Sequence, residues 1–381
     1  MGGGSKRSFE AIDLLRFLSA AGVVAYHYGS AYGRMPNGHA ASWPRLVPLP
    51  ESWLAMSWWG WIGVELFFVI SGCVIAGSAR GATPGGFAGR RLARLFPAAW
   101  VCASLTLAVL LVTGASGPLF TQWLGAFTLW PMGPWIDGVY WTLGVELAFY
   151  WLVAVLLARG AGDRLEGLAQ GLAVASLLYW LVLASGLLPA GWIHPRIADL
   201  LLLTHGCFFA LGIHVRAALD HGLTRRRAAA MGLCLIPAAL EIVAHGYDLG
   251  PALGLAGTPT VPLAVFLAGL LVMLGADRLQ PYLERWLPAG LAARLGLATY
   301  PLYLLHQEAG AAVLSRLVRS GMPATLAALV VGAAMLAAAL AISAFAEPWL
   351  RRGLSRLAAA LRSALFRFRP VPIFLGEHAE R

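Results

Sequence analysis

Apolar stretches of eighteen or more residues recur along the whole chain, and no other feature restricts its fold as much. A helix rising 1.5 Å per residue crosses the hydrocarbon of a bilayer in about twenty residues. Inside lipid no water reaches the backbone, so only helices and closed barrels can span it. These runs are continuous rather than alternating, which excludes a barrel of the outer-membrane type. Charged residues make up 12% of the 381 and the mean hydropathy is +0.72, which excludes a water-soluble globular fold. The expected fold class is an all-α polytopic membrane protein.

Ten segments read as transmembrane helices: 9–30, 58–78, 95–113, 139–158, 168–187, 199–215, 228–245, 259–276, 297–315 and 324–346. With Lys6 and Arg7 in the cytoplasm, 22 of the 28 Lys and Arg residues fall in inner loops or the tail and five in outer loops. Arg16 lies within the first span. This asymmetry places both termini in the cytoplasm, so the net charge of +10 is mostly a topology signal and implies no nucleic-acid partner. Arg16 interrupts the first apolar stretch and argues against a cleavable signal peptide. Lys6 departs from the myristoylation pattern. Cys73, Cys102, Cys207 and Cys234 lie in or beside apolar spans with no CxxC spacing, and read as small buried hydrophobes rather than metal ligands or disulfide partners. No fixed-period repeat and no inverted pair of broken segments stands out. The chain thus divides into one transmembrane domain, 1–350, and a basic cytoplasmic tail, 351–381, too short for an added catalytic domain. Two irregular stretches remain, an outer loop at 31–57 that could cover a site and the proline-rich 114–138.

Ionisable side chains within the hydrocarbon need a partner, a water-filled cavity or a function. Asp13, Arg16 and His27 interrupt the first span. Arg16 and His27 are eleven residues apart, three turns plus about 20°, so they share a face with about 16 Å between their levels. A local Asp13–Arg16 pair and an interfacial His27 is the plainer alternative. Next come Gly63-Val-Glu65-Leu-Phe-Phe-Val-Ile-Ser71-Gly72 and the basic run Arg90-Arg91-Leu-Ala-Arg94. Further on stand Trp141-Thr-Leu-Gly-Val-Glu146-Leu-Ala-Phe-Tyr150, Tyr300-Pro-Leu-Tyr303-Leu-Leu-His306 and Glu347-Pro348.

These six elements in this order resemble the integral-membrane acyltransferase-3 family, of O-acyltransferase type: Arg-x10-His in the first span, GV[DE]LFFV[IL]SG, RxxR at the third span, W-[ST]-L-x-V-E-x-x-F-Y, Y-x-x-Y-L-x-H and a closing Glu-x-Pro-like end. Thr142 and Gly144 stand where serine is commoner, and Leu14-Leu15 where a glycine often precedes the arginine. These departures bear on sub-family and substrate rather than on membership.

The resemblance implies acyl transfer, which needs a base, a donor to the developing oxyanion and an anchor for the carrier. His27 is the expected general base, or less naturally a transient acyl acceptor, because imidazole titrates near neutrality. Glu146 or His306 could hold it in one tautomer; a structural pair of Glu146 with Arg16 is the alternative. Arg16 could polarise the thioester or neutralise phosphate. Arg91 and Arg94, and beside them Arg90, would suit the phosphates of an acetyl-CoA or other acyl-CoA donor, although anchoring to anionic lipid explains Arg90 equally well. Ser71 lines the channel or permits close helix approach and is not expected as a nucleophile. Glu65 caps or pairs locally, and no metal is expected. Trp53, Trp58, Trp59, Trp61, Trp123, Trp130, Trp135 and Trp141 read as a mostly interfacial belt, some able to stack on a sugar.

The expected activity is therefore transfer of an acyl group, acetyl above all, from cytoplasmic acyl-CoA to a hydroxyl on a glycan or glycosylated small molecule. The expected setting is a bacterial inner membrane, with the lipid bilayer as surroundings and a homo-oligomer compatible with the sequence. The rival is a proton- or anion-coupled secondary transporter using Arg16, His27, Glu146 and His306.

Overall fold

A computed structural model describes residues 9–32, 34, 35, 38, 39, 49–189, 191–255 and 259–356. Much of the 31–57 loop and all of the tail after residue 356 lie outside the described residues. Within them the fold is all helical, with no strand. In chain order the helices are α1 Glu10–Tyr26, α2 Glu51–Ser57, α3 Gly63–Ala79, α4 Pro84–Thr113, α5 Leu119–Phe127 and α6 Trp141–Ala158. Next are α7 Leu165–Ser185, α8 Pro195–Leu200, α9 Gly206–His221, α10 Arg225–Leu253 and α11 Thr260–Leu274. The last are α12 Ala276–Trp286, α13 Leu291–Leu305, α14 Glu308–Arg319 and α15 Ala324–Ala341.

Helix ends follow local chemistry. Thr83 Oγ1 accepts from Gly86 N–H at 3.2 Å with Pro84 at the first helical position, and Thr224 caps α10 by accepting from Arg227 N–H at 3.3 Å. Gly114, Gly186 and Gly254 end α4, α7 and α10 at φ of 78°, 66° and 70°, the left-handed region that favours glycine.

Among the described residues six helices are long and apolar enough to cross a membrane, seven if α11 and α12, bent by 83°, count as one span. The ten expected segments all fall on helices, but not all as intact spans. The 199–215 segment divides between α8, a run of turns and α9. The 297–315 segment breaks at His306 and Gln307, between α13 and α14. The α9 and α13 helices, of 16 and 15 residues, are shorter than a hydrocarbon core of about 30 Å. Hydropathy registers apolar length and is blind to such breaks. Within 114–138, expected to be irregular, α5 forms and packs on α4, with Trp100 and Phe127 stacked at 5.5 Å.

The core forms around α3, and the span Glu51–Ala79 that it completes has two thirds of its apolar window buried. Helix α3 crosses α9 closely at two glycines. A side chain at Gly72 would strike the backbone of Phe209, and one at Gly212 the backbone of Val69.

Candidate active site

Helices α1, α3, α4, α6 and α13 enclose about 840 Å³ of empty space, part of it open to the outside. Arg16 projects into it from α1, Phe67 and Ser71 from α3, Arg91 and Arg94 from α4, Glu146 and Tyr150 from α6, and Tyr300 and Tyr303 from α13. Three guanidiniums therefore share the cavity with one carboxylate. That carboxylate is already engaged, for Ser71 Oγ donates to Glu146 Oε1 at 2.9 Å and the Tyr150 hydroxyl donates to the same oxygen. Among the described residues Arg16 has a single loose ion partner, Asp13, at 4.0 Å. Arg91 lies 5.8 Å from the Phe87 ring and Arg94 6.0 Å from the Tyr300 ring. The Arg91 Nε is buried without a hydrogen-bond partner among the described residues. A buried guanidinium N–H left unpaired is costly unless a ligand supplies an acceptor, and an anion would do so best.

Beyond the cavity wall lies a pair of imidazoles. The α1 helix ends in one π-helical turn, His27–Ala31, a widening often found at functional sites. His27 Nδ1 is 3.1 Å from the Val23 carbonyl oxygen and 2.8 Å from His306 Nε2. His306, fully buried in the break between α13 and α14, has its Nδ1 2.8 Å from the Tyr303 carbonyl oxygen. The Tyr28 hydroxyl donates to the His306 carbonyl at 2.8 Å and fastens that break to α1.

With both rings neutral, these contacts determine the tautomers. A carbonyl only accepts, so His306 Nδ1 carries its proton and Nε2 offers a lone pair. The His27 Nδ1–H donates there, sharing its proton with the Val23 carbonyl. His27 Nε2 is left with a lone pair and no hydrogen-bond partner among the described residues. Tyr303 links this pair to the cavity, because its ring lines the cavity and stands 5.8 Å from the His306 ring.

Of the residues singled out in the sequence, Arg16, Ser71, Arg91, Arg94 and Glu146 meet at the cavity, while His27 and His306 meet beside it. Of the two candidates for orienting His27, His306 makes the contact and Glu146 bonds instead to Ser71 and Tyr150. Arg90 does not line the cavity. Its guanidinium reaches the Ser78 carbonyl at 3.5 Å on an exposed face. Glu347 is buried and paired with Arg351. Two of the tryptophans turn inward rather than to the interface: Trp61, 4.3 Å from the His245 ring, and Trp141, 5.3 Å from the His205 ring.

The sequence reading assigns no role to Tyr150 or Tyr303, and passes over Asp199, His205 and Glu241. His205 and Glu241 stand inside apolar segments, where an ionisable side chain is itself the signal.

The acyltransferase-domain family Acyl_transf_3 matches residues 9–345. The chain is 30% identical over 195 residues to Nodulation protein 10 of Rhizobium leguminosarum bv. viciae, an alignment covering 45% of this chain and 50% of that protein. The chain thus spans about half the length of the curated relative it matches. No solved structure matches. The family match runs from the start of α1 to the π turn after α15 and takes in the cavity and both histidines, so the chain belongs to the integral-membrane acyltransferase-3 family.

Proposed function

We propose that this membrane acyltransferase takes an acyl group, acetyl above all, from cytoplasmic acyl-CoA and passes it to a hydroxyl on a glycan or glycosylated small molecule. The observation that carries the reading is the His27 Nε2 lone pair, set by His306 beside a cavity dominated by guanidiniums. Arg91 and Arg94, which line the cavity, take the donor's phosphates, and the buried, unpaired Arg91 Nε–H supplies a donor for one of them. The acceptor hydroxyl gives its proton to His27 Nε2 as its oxygen attacks the thioester carbon. Arg16, about 16 Å from the level of His27 along α1, joins Arg91 and Arg94 in neutralising the donor's phosphates. The tetrahedral intermediate then collapses, breaking the carbon–sulfur bond, and the imidazolium returns its proton to the departing thiolate. Glu146, held by Ser71 and Tyr150, offsets part of the mutual repulsion of the three guanidiniums in the cavity.

The charge asymmetry of the loops supports cytoplasmic termini, and the relative from Rhizobium leguminosarum supports a bacterial membrane as the setting. Family membership does not favour the transporter reading. To test the proposal, membrane vesicles bearing the protein are given radiolabelled acetyl-CoA and a cell-envelope glycan extract. Wild-type vesicles are expected to label glycan with matching release of CoA, and His27→Gln vesicles to label none. Equal labelling by the variant would contradict the assignment of the base, and solute uptake without a donor would favour transport.

A further inference from the structure

On the far side of Phe68 from the cavity, three ionisable side chains from different elements converge where nothing in the acyl-transfer mechanism requires them. Glu65 comes from the first turn of α3, His205 directly precedes α9, and Glu241 lies in the middle of α10. All three are more than nine-tenths buried. One ligand atom from each lies within 4.8 Å of the other two, and Glu65 Oε2 is 3.5 Å from His205 Nδ1. These inward-facing atoms also lack partners: Glu65 Oε2, Glu241 Oε2 and His205 Nδ1 are buried without a hydrogen bond among the described residues.

Three orphaned polar atoms aimed at one another are expensive to leave as they are. The other side of His205 explains the arrangement. Its Nε2 is 3.5 Å from Asp199 Oδ1, and Asp199 is itself 3.8 Å from Arg196. With a proton on Nε2 alone, facing Asp199, the Nδ1 lone pair is directed at two carboxylates, and either a second proton on Nδ1 or a cation between the three groups relieves the repulsion. A carboxylate behind an imidazole is also the usual outer partner of a metal-bound histidine. Tetrahedral zinc, with ligands at about 2.0–2.2 Å, sets neighbouring ligand atoms about 3.3 Å apart, close to the 3.5 Å found between Glu65 and His205.

We infer that Glu65, His205 and Glu241 form a buried divalent-metal site, best suited to zinc, in which Asp199 orients His205 and a water completes the coordination. One imidazole and two carboxylates make a donor set that zinc accepts and that magnesium, which seeks an all-oxygen octahedron, does not. The ion would tie α3, α9 and α10 together. Phe68 lines the cavity and its ring lies 5.2 Å from the His205 ring, so the ion would brace the cavity wall rather than touch the reacting atoms. The proposal departs from the expectation of a protein without metal.

The test is metal analysis of the full-length protein purified without chelator from zinc-replete cells, followed by zinc-edge X-ray absorption. The expected result is about one zinc per chain bound by nitrogen and oxygen at about 2.0–2.1 Å. Glu241→Gln and His205→Ala should lose the zinc. Asp199→Asn, which leaves all three ligands in place, should keep the fold and weaken zinc in competition with a chelating dye by about 10–100-fold. Protein purified free of zinc, with a melting temperature unchanged by added zinc, would overturn the proposal. So would a sulfur shell at about 2.3 Å, which would move the metal to a cysteine.

Discussion

His27 and His306 divide one task between two imidazoles. One carries the reactive lone pair and the other, pinned through Nδ1 to the Tyr303 carbonyl, decides which nitrogen of the first is protonated. Removing the first should abolish the proton transfer, and His27→Gln is expected to lower kcat by about 10²–10⁴-fold with donor affinity unchanged, measured by CoA release and by calorimetry. Removing the second should leave a base of uncertain tautomer. His306→Ala is expected to lower kcat more than it raises KM and to move the pH–rate profile, which a purely structural loss would not do. At the other end of the cavity, Arg91→Ala and Arg94→Ala are expected to raise the donor KM by about 10–100-fold, the worth of one hydrogen bond to a charged group, with a smaller change in kcat. A spacing of eleven on one helix led to the expectation of a common face for Arg16 and His27, and the structure has Arg16 at the cavity and His27 beside it in the π turn. The choice between Glu146 and His306 was not legible in the sequence, because it depends on how separate helices pack, and linear spacing carries no information on that.

At the level of elements, the site depends on interruptions. The π turn at His27–Ala31 and the break at His306 place two histidines from opposite ends of the sequence within hydrogen-bonding distance. His306 itself stays in helical register, its N–H donating to the Leu302 carbonyl at 3.2 Å, and the break leaves its own carbonyl free to accept from the Tyr28 hydroxyl. Hydropathy shows the apolar lengths and therefore most of the helices, but a break such as His306-Gln307 is set by tertiary bonds. The α3–α9 crossing was half legible, since Ser71-Gly72 suggested close approach or channel lining, and the structure has Gly72 against Phe209 and Ser71 at the cavity. Gly72→Leu is accordingly expected to prevent folding, seen as loss of monodisperse protein in detergent. Gly89→Ala in α4, where an added methyl meets nothing within 4 Å, should fold normally and gain about 0.5–1 kcal/mol in stability.

At the scale of the whole molecule, the order of charges along the chain carries the expectation that basic residues crowd the cytoplasmic loops, because the positive-inside rule needs only that order. Cysteine labelling checks the result, since all four native cysteines are buried. In intact cells, a membrane-impermeant maleimide is expected to label Ser116→Cys and to label Asp163→Cys only after permeabilisation. The donor would then enter from the basic side, and the acyl group would have to reach the histidine pair past Tyr303. The most direct measurement of that arrangement is a cryo-EM structure with a non-hydrolysable acyl-CoA analogue. The expected result has the diphosphate against Arg91 and Arg94 and the thioester-equivalent carbon within about 6 Å of His27 Nε2, the span of one hydrogen bond plus one near-attack separation. An analogue bound outside the cavity, or with its acyl end directed away from His27, would contradict the account.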